Sequence, residues 1–189
     1  KMGLDPAKKL VLYGAMGDFL FPHEGEMADV LEGLIQEGKI KEPVQVIFRA
    51  HPKFQSPLER MKNAKHIKPD RKATYTGESL STVEIEAEDD KHLINSIWHA
   101  DVVVAGASTI AVDASVLDRP VVCVGFDGLS RDVPYWVSVK RFYDTYTHFE
   151  AFMGTGAAKL AQTPDQLVEF INQYLADPAK DSEKRKKAI

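Results

Sequence analysis

The chain is short of cysteine, of basic excess and of long apolar runs, and each shortage excludes something. A single cysteine, Cys123, among 189 residues leaves no disulfide framework and makes the reducing cytoplasm the expected setting. A formal net charge of −4 lacks the electrostatic footprint of a nucleic-acid partner, and none is expected. No apolar stretch approaches the ~18 residues of a membrane-spanning helix, and no signal peptide is read. Internal repeats and low-complexity tracts are absent. The dinucleotide fingerprint GxGxxG does not occur. No acidic pair and no His/Cys spacing suits a metal, so no metal and no other cofactor is expected. What is present, 44% hydrophobic and 28% charged residues, suffices for one soluble α/β domain spanning 1–189 with a real core.

Apolar residues 9–13 lead into Gly14, Ala15, Met16, Gly17 and Asp18. This predicts a first strand and a glycine-bearing turn. Gly14 and Gly17 either reverse the chain or let its backbone approach a ligand. Met27, Val30, Leu31, Leu34 and Ile35 then mark an amphipathic helix closed by Gly38. A second strand, 44–48, ends in Arg49, Ala50, His51 and Pro52. Polar residues at the carboxyl end of a parallel strand face the ligand crevice of an open α/β sheet. Arg49 there suits a phosphate clamp and His51 an acid or a phosphate donor; a surface histidine before proline is the plainer alternative. Residues 57–63 read as a short helix with Leu58 and Met61 inward, and 64–81 as a surface loop. Val83 and Ile85 alternate with Glu84 and Glu86 as in a half-exposed edge strand. Acids at 88–90 open a helix with Leu93, Ile94, Ile97 and Trp98 on its apolar face.

Residues 99–127 are the most informative stretch. Val102, Val103, Val104 and Ala105 form a run too short for a helix and fit for a buried parallel strand. Gly106, Ala107, Ser108 and Thr109 make a small-residue turn. Ile110, Ala114 and Leu117 share one face of the helix that follows, Pro120 stops it, and 121–124 is the next strand. Such a turn offers hydroxyls and unpaired N–H groups to an anion at a helix N-terminus. Asp113 follows Thr109 by one turn and shares its face, which suits a polyol such as ribose.

About half of the Phe, Tyr and Trp residues fall between Phe126 and Phe152, about a seventh of the length. They serve either as packing or as the wall of a base or acceptor site, with Tyr146 and His148 directed at it. Residues 157–161 fit a last strand. Thr163, Pro164 and Gln166 form a capping box for a helix carrying Leu167, Phe170, Ile171, Tyr174 and Leu175. Residues 177–189 read as a frayed tail. Its basic end, 184–187, is either solvated or a peripheral contact with a membrane surface.

Strands alternating with helices predict a doubly wound parallel sheet, Rossmann-like, of about six strands with helices on both faces. In the order 3-2-1-4-5-6 the turns at 14–18 and 106–109 flank one crevice and His51 enters from the adjacent strand.

With Arg49, His51 and Pro52, the stretch 99–127 resembles the C-terminal, donor-binding domain of GT-B glycosyltransferases. Within that superfamily it looks most like the CDP-glycerol glycerophosphotransferase-type enzymes. Ser108 and Thr109 match the Ser pair of that pattern, which implies donor phosphate binding. Asp113 matches its acid, which implies a ribose contact. His51 matches the histidine of an Arg-x-His motif, implying pyrophosphate stabilisation or leaving-group protonation. Pro120 and Asp127 also fit, while Gly106 and Ala107 stand where the family has Asp-Tyr. The resemblance implies a glycosyl- or glycerophosphotransferase of cell-envelope polysaccharide synthesis, working in the cytoplasm or at the inner face of the membrane on a nucleotide-activated sugar or glycerol donor. Together with the strand-end and aromatic readings, this makes His51 and Arg49 the candidate catalytic residues, and Gly14, Gly17, Gly106, Ser108, Thr109, Asp113, Asp127 and His148 the candidate donor-binding residues. The resemblance further implies that an N-terminal acceptor domain completes the enzyme. A UDP-sugar 2-epimerase is one alternative; those enzymes favour a Ser-Gly-Gly turn and a Glu-Glu pair, against Ser108, Thr109, Ile110 and the single Asp113 here. A non-enzymatic flavodoxin-like or receiver-like module is another; a receiver's acidic cluster and phospho-acceptor Asp are not found in order.

Overall fold

The computed structural model describes residues 2–54, 56, 58–70, 74–75, 83–129 and 132–188. Its elements are β1 (Lys9–Gly14), α1 (Glu26–Gln36), β2 (Val44–Arg49), a 3-10 turn (Leu58–Met61), β3 (Ile67–Asp70), β4 (Thr74–Tyr75), β5 (Val83–Glu84), α2 (Ala87–His99), β6 (Val102–Ala105), α3 (Thr109–Val116), β7 (Val121–Val124), α4 (Lys140–Thr145), α5 (Thr147–Gly154), β8 (Ala158–Ala161), α6 (Pro164–Ala176) and α7 (Ser182–Lys187).

Six parallel strands form one sheet in the order β3-β2-β1-β6-β7-β8. This is the expected doubly wound, Rossmann-like topology. The valine-rich strands are buried along their length because both faces of the sheet are covered; β6 and β7 expose nothing. The chain reverses its direction of winding between β1 and β6, so their carboxyl ends bound the crevice at the switch point. Among the described residues no helix is long and apolar enough to cross a membrane.

Two expectations fail. The third strand of the sheet is Ile67–Asp70, inside the stretch read as a surface loop, and Val83–Glu84 instead pairs antiparallel with Thr74–Tyr75 in a separate two-stranded ribbon. The rest of that loop, 71–73 and 76–82, and Pro57 of the predicted short helix lie outside the described residues. Alternation at Val83 and Ile85 reported an extended segment but not its partner. In β3 only Ile67 and Asp70 are buried, and Pro69 is tolerated because β3 is an edge.

The tail is not frayed. Arg185 of α7 is 0% exposed: its Nε donates to Asp118 Oδ1 at 2.8 Å, and its terminal nitrogens donate to the carbonyls of Lys180 and Pro178. Ser182 Oγ also donates to Asp118, at 2.8 Å. These bonds pin α7 to the end of α3. Arg185→Ala strips those acceptors of their donor and is expected to cost about 2 kcal/mol, lowering Tm by about 5 °C. Lys187→Ala, on the same helix, should stay within about 0.5 kcal/mol; thermal denaturation of both variants checks the difference.

Candidate functional site

At the carboxyl edge of the sheet, pairing sets Asp70 beside Arg49, Arg49 beside Gly14, and Gly14 beside Ala105. Above that row lies a crevice of about 190 Å³ lined by Gly14, Arg49, His51, Ser108, Thr109 and Asp113 among others. Six of the residues singled out from sequence therefore share one wall. Opposite them stand Ile85, Asp89, Asp90 and Leu93, at and before the N-terminus of α2.

The α3 end of the crevice is open. Ser108 is the N-cap, with the extended backbone usual at that position (φ −128°, ψ 150°), and its hydroxyl makes no capping bond. The N–H groups of Thr109 and Ile110 have no protein acceptor among the described residues, as the first turn of a helix allows. Asp113, one turn on, is half-buried, and that burial raises its carboxyl above the ordinary value. Donors and hydroxyls thus lie at one end and an acceptor one helical turn away.

Gly14 and Gly106 shape this end by close packing, since neither leaves room for a Cβ. A Cβ on Gly14 would stand 2.7 Å from both Cδ1 and Cγ2 of Ile110. A Cβ on Gly106 would overlap Met16 Sδ. Each glycine of one strand end therefore accepts a side chain from the loop of the other.

The turn at 14–18 does not cradle an anion. Ala15 N–H donates to the Arg49 carbonyl at 2.9 Å, and the N–H groups of Met16 and Gly17 each donate to Glu24 at 2.7 Å. Glu24 also accepts from Tyr13 Oη at 3.3 Å. Sequence reading missed this fully buried carboxyl, since an acid just before a helix looks like any solvated first-turn residue. Burial pushes its pKa up to about 7, against the pull of the two N–H groups.

Arg49 is committed in part. Its Nη1 donates to Asp70 Oδ2 at 2.9 Å, and His92 Nε2 of α2 lies 2.9 Å from the same oxygen. A carboxylate thus offsets the guanidinium charge and ties the strand end to α2. Asp70 and His92 went unnoticed because β3 itself did. His51 Nδ1 accepts from Lys53 N–H at 3.1 Å, so the neutral ring carries its proton on Nε2.

Four predicted site residues, Gly17, Gly106, Asp127 and His148, do not line the crevice. Gly17 sits in the β1–α1 loop at φ +90°, its N–H on Glu24. Asp127 is buried, accepting from Ser138 Oγ at 2.5 Å and Val139 N–H at 2.8 Å, and so fixes the segment leading into α4. His148 is exposed at the start of α5, 5.4 Å from the Tyr146 ring. Most of the aromatic segment packs: Phe142 and Phe149 are buried and Tyr143 Oη donates to the Val124 carbonyl at 2.8 Å. Tyr135 and Trp136 stay exposed.

No family model matches the sequence, and no curated protein does. Solved structures do. The chain is similar to the wall teichoic acid polymerase TagF, with TM-score 0.58 and 16% identity over 99% of this chain and 40% of that one. It is similar to the C-terminal CMP-Kdo binding domain of WaaA from Acinetobacter baumannii, with TM-score 0.56 and 17% identity over 97% and 88% of the two chains. It is similar to the E. coli ADP-heptose lps heptosyltransferase II, with TM-score 0.51 and 15% identity over 93% and 49%. The chain thus spans well under half of TagF, about half of the heptosyltransferase and most of the WaaA domain. At these identities the likeness is one of fold: a Rossmann-like parallel sheet with helices on both faces.

Glu24 carries a pH signature. Its folded-state pKa lies above the ordinary 4.5, so between about 4.5 and about 7 the folded protein binds more protons than the unfolded chain. The stability this contributes is complete below pH 4.5 and is lost as pH rises through about 7. Glu24→Gln lacks that slope. The difference in unfolding free energy between parent and variant should move by roughly 3 kcal/mol across the window, toward the variant at high pH. Urea denaturation across that window checks it; a flat difference contradicts the assignment.

Proposed function

We propose that this domain binds a nucleotide-activated donor and supports transfer of its glycosyl or glycerophosphate group to an acceptor in cell-envelope polymer synthesis, as the C-terminal half of a two-domain transferase. The observation that carries the reading is the meeting of an uncapped helix N-terminus, the Ser108 and Thr109 hydroxyls, Asp113, Arg49 and His51 in one crevice at the switch point. The names of the similar structures support it: a teichoic acid polymerase, a CMP-Kdo binding domain and an ADP-heptose heptosyltransferase.

In this reading the donor's phosphates rest on the N–H groups of Thr109 and Ile110 and on the two hydroxyls, where the α3 dipole favours negative charge. Asp113 accepts from ribose hydroxyls. The acceptor oxygen forms its bond to the transferred group as the bond to the nucleotide phosphate breaks, and the leaving phosphate oxygen takes the electron pair. His51, with its proton on Nε2, donates to that oxygen, and Arg49, aimed by Asp70, adds positive potential. The base that takes the acceptor's proton is assigned to the N-terminal domain.

Thermal shift with CMP, CDP, UDP and GDP tests the reading. At one hundred times Kd, a matching nucleotide should stabilise the parent by about 2.7 kcal/mol. Asp113→Ala should weaken binding roughly tenfold or more through loss of a charged hydrogen bond, and Ser108→Ala less. No shift with any nucleotide, or full affinity in Asp113→Ala, overturns it.

A further inference from the structure

Gly17 in the β1–α1 loop forms one contact chain with Phe54 and His51, which stand three residues apart in the loop after β2. The Phe54 ring stacks on the His51 imidazole, centroids 4.6 Å apart and planes 27° off parallel. On its other side Phe54 stacks on Phe19, at 5.6 Å and 24°. Phe19 is 75% exposed and ends the row of rings. Gly17 makes room for it: a Cβ there would overlap the Cβ of Phe54 and stand 3.1 Å from its Cγ, and φ +90° disfavours any other residue. Glu24 holds Gly17 in that place through its N–H. One face of the imidazole is therefore set by Phe54 and its Nδ1 by the Lys53 N–H.

We propose that Phe54 is the positioning residue for His51, and that Gly17 acts through Phe54 rather than on the donor. This rests on the donor-site reading for the consequence, though not for the geometry. A histidine on a loop after β2 has rotational freedom about both side-chain torsions. Clamping it between a ring face and a backbone N–H fixes the direction in which Nε2–H points, so the hydrogen bond to the donor needs less ordering when the donor arrives.

The test uses Phe54→Leu, Phe54→Tyr and Gly17→Ala, each checked for folding by its Tm. In the parent the His51 ring protons should resonate upfield under the Phe54 ring current. They should stay there in Phe54→Tyr and move toward free-imidazole positions in Phe54→Leu and Gly17→Ala. Binding of the nucleotide that stabilises the parent should weaken about 3- to 10-fold in Phe54→Leu, the range of one aromatic pair, and recover in Phe54→Tyr. In a His51→Ala background Phe54→Leu should add nothing. Losses that add, or His51 resonances that ignore Phe54→Leu, overturn the proposal. If the parent binds no nucleotide, the donor-site reading falls, and the resonance comparison alone decides the positioning.

Discussion

Two glycines without room for a Cβ decide how the crevice is built. At the carboxyl ends of β1 and β6, Gly14 lies against Ile110 and Gly106 against Met16. The contact is reciprocal: each loop places a side chain where the other has none. Ile110 begins α3, so its seat on Gly14 fixes where the helix N-terminus points. Met16 belongs to the β1–α1 loop, so its seat under Gly106 fixes that loop beside the small-residue turn. A methyl group at either glycine would lift α3 from the sheet or drive the loops apart, and interiors packed to crystal-like density absorb little of that.

Charge is arranged to support those positions. Glu24 is buried where an ionised carboxylate is costly, and it repays that cost by satisfying two adjacent N–H groups that would otherwise be orphaned. Its bond to Met16 N–H links it to the Gly106 contact, and its bond to Gly17 N–H to the Phe54 stack. On the other flank Asp70 holds Arg49 and lies beside His92, so the strand end and α2 share one carboxylate. Glu24 and Asp70 thus face the loop and the β2 flank, while Asp89, Asp90 and Asp113 line the crevice itself. The α3 N-terminus is left with donors facing the crevice.

The sheet was legible where burial is two-sided. Valine runs at 102–105 and 121–124 can be little else than inner parallel strands, and the Thr163 cap, accepting from Gln166 N–H at 3.2 Å, appears where its motif stands. Thr109 and Asp113 were legible because a helix period puts them on one face whatever the tertiary contacts, and Ser108 because it stands at the start of that helix. β3 was not, because an edge strand of four residues with a proline carries no alternation to read. Asp127 was misplaced because an acid after a strand reads the same whether it faces a ligand or holds the Val139 N–H. Arg185 hid in a run of four basic residues, since only Asp118 and the carbonyls of 178 and 180 distinguish it. Glu24 was invisible for the same reason: the groups that justify its burial meet only after folding.

The central claim is that the α3 N-terminus, rather than the glycine turn after β1, receives the phosphates of a nucleotide. An amide-resolved NMR titration with CDP, UDP and GDP tests it most directly. The account predicts that the largest shifts fall on the Thr109 and Ile110 N–H groups, followed by Asp113 and His51, while Met16 and Gly17 stay on Glu24 and move little. Shifts concentrated at Met16 and Gly17, or around Asp127 and Ser138, with Thr109 and Ile110 unmoved, would contradict it.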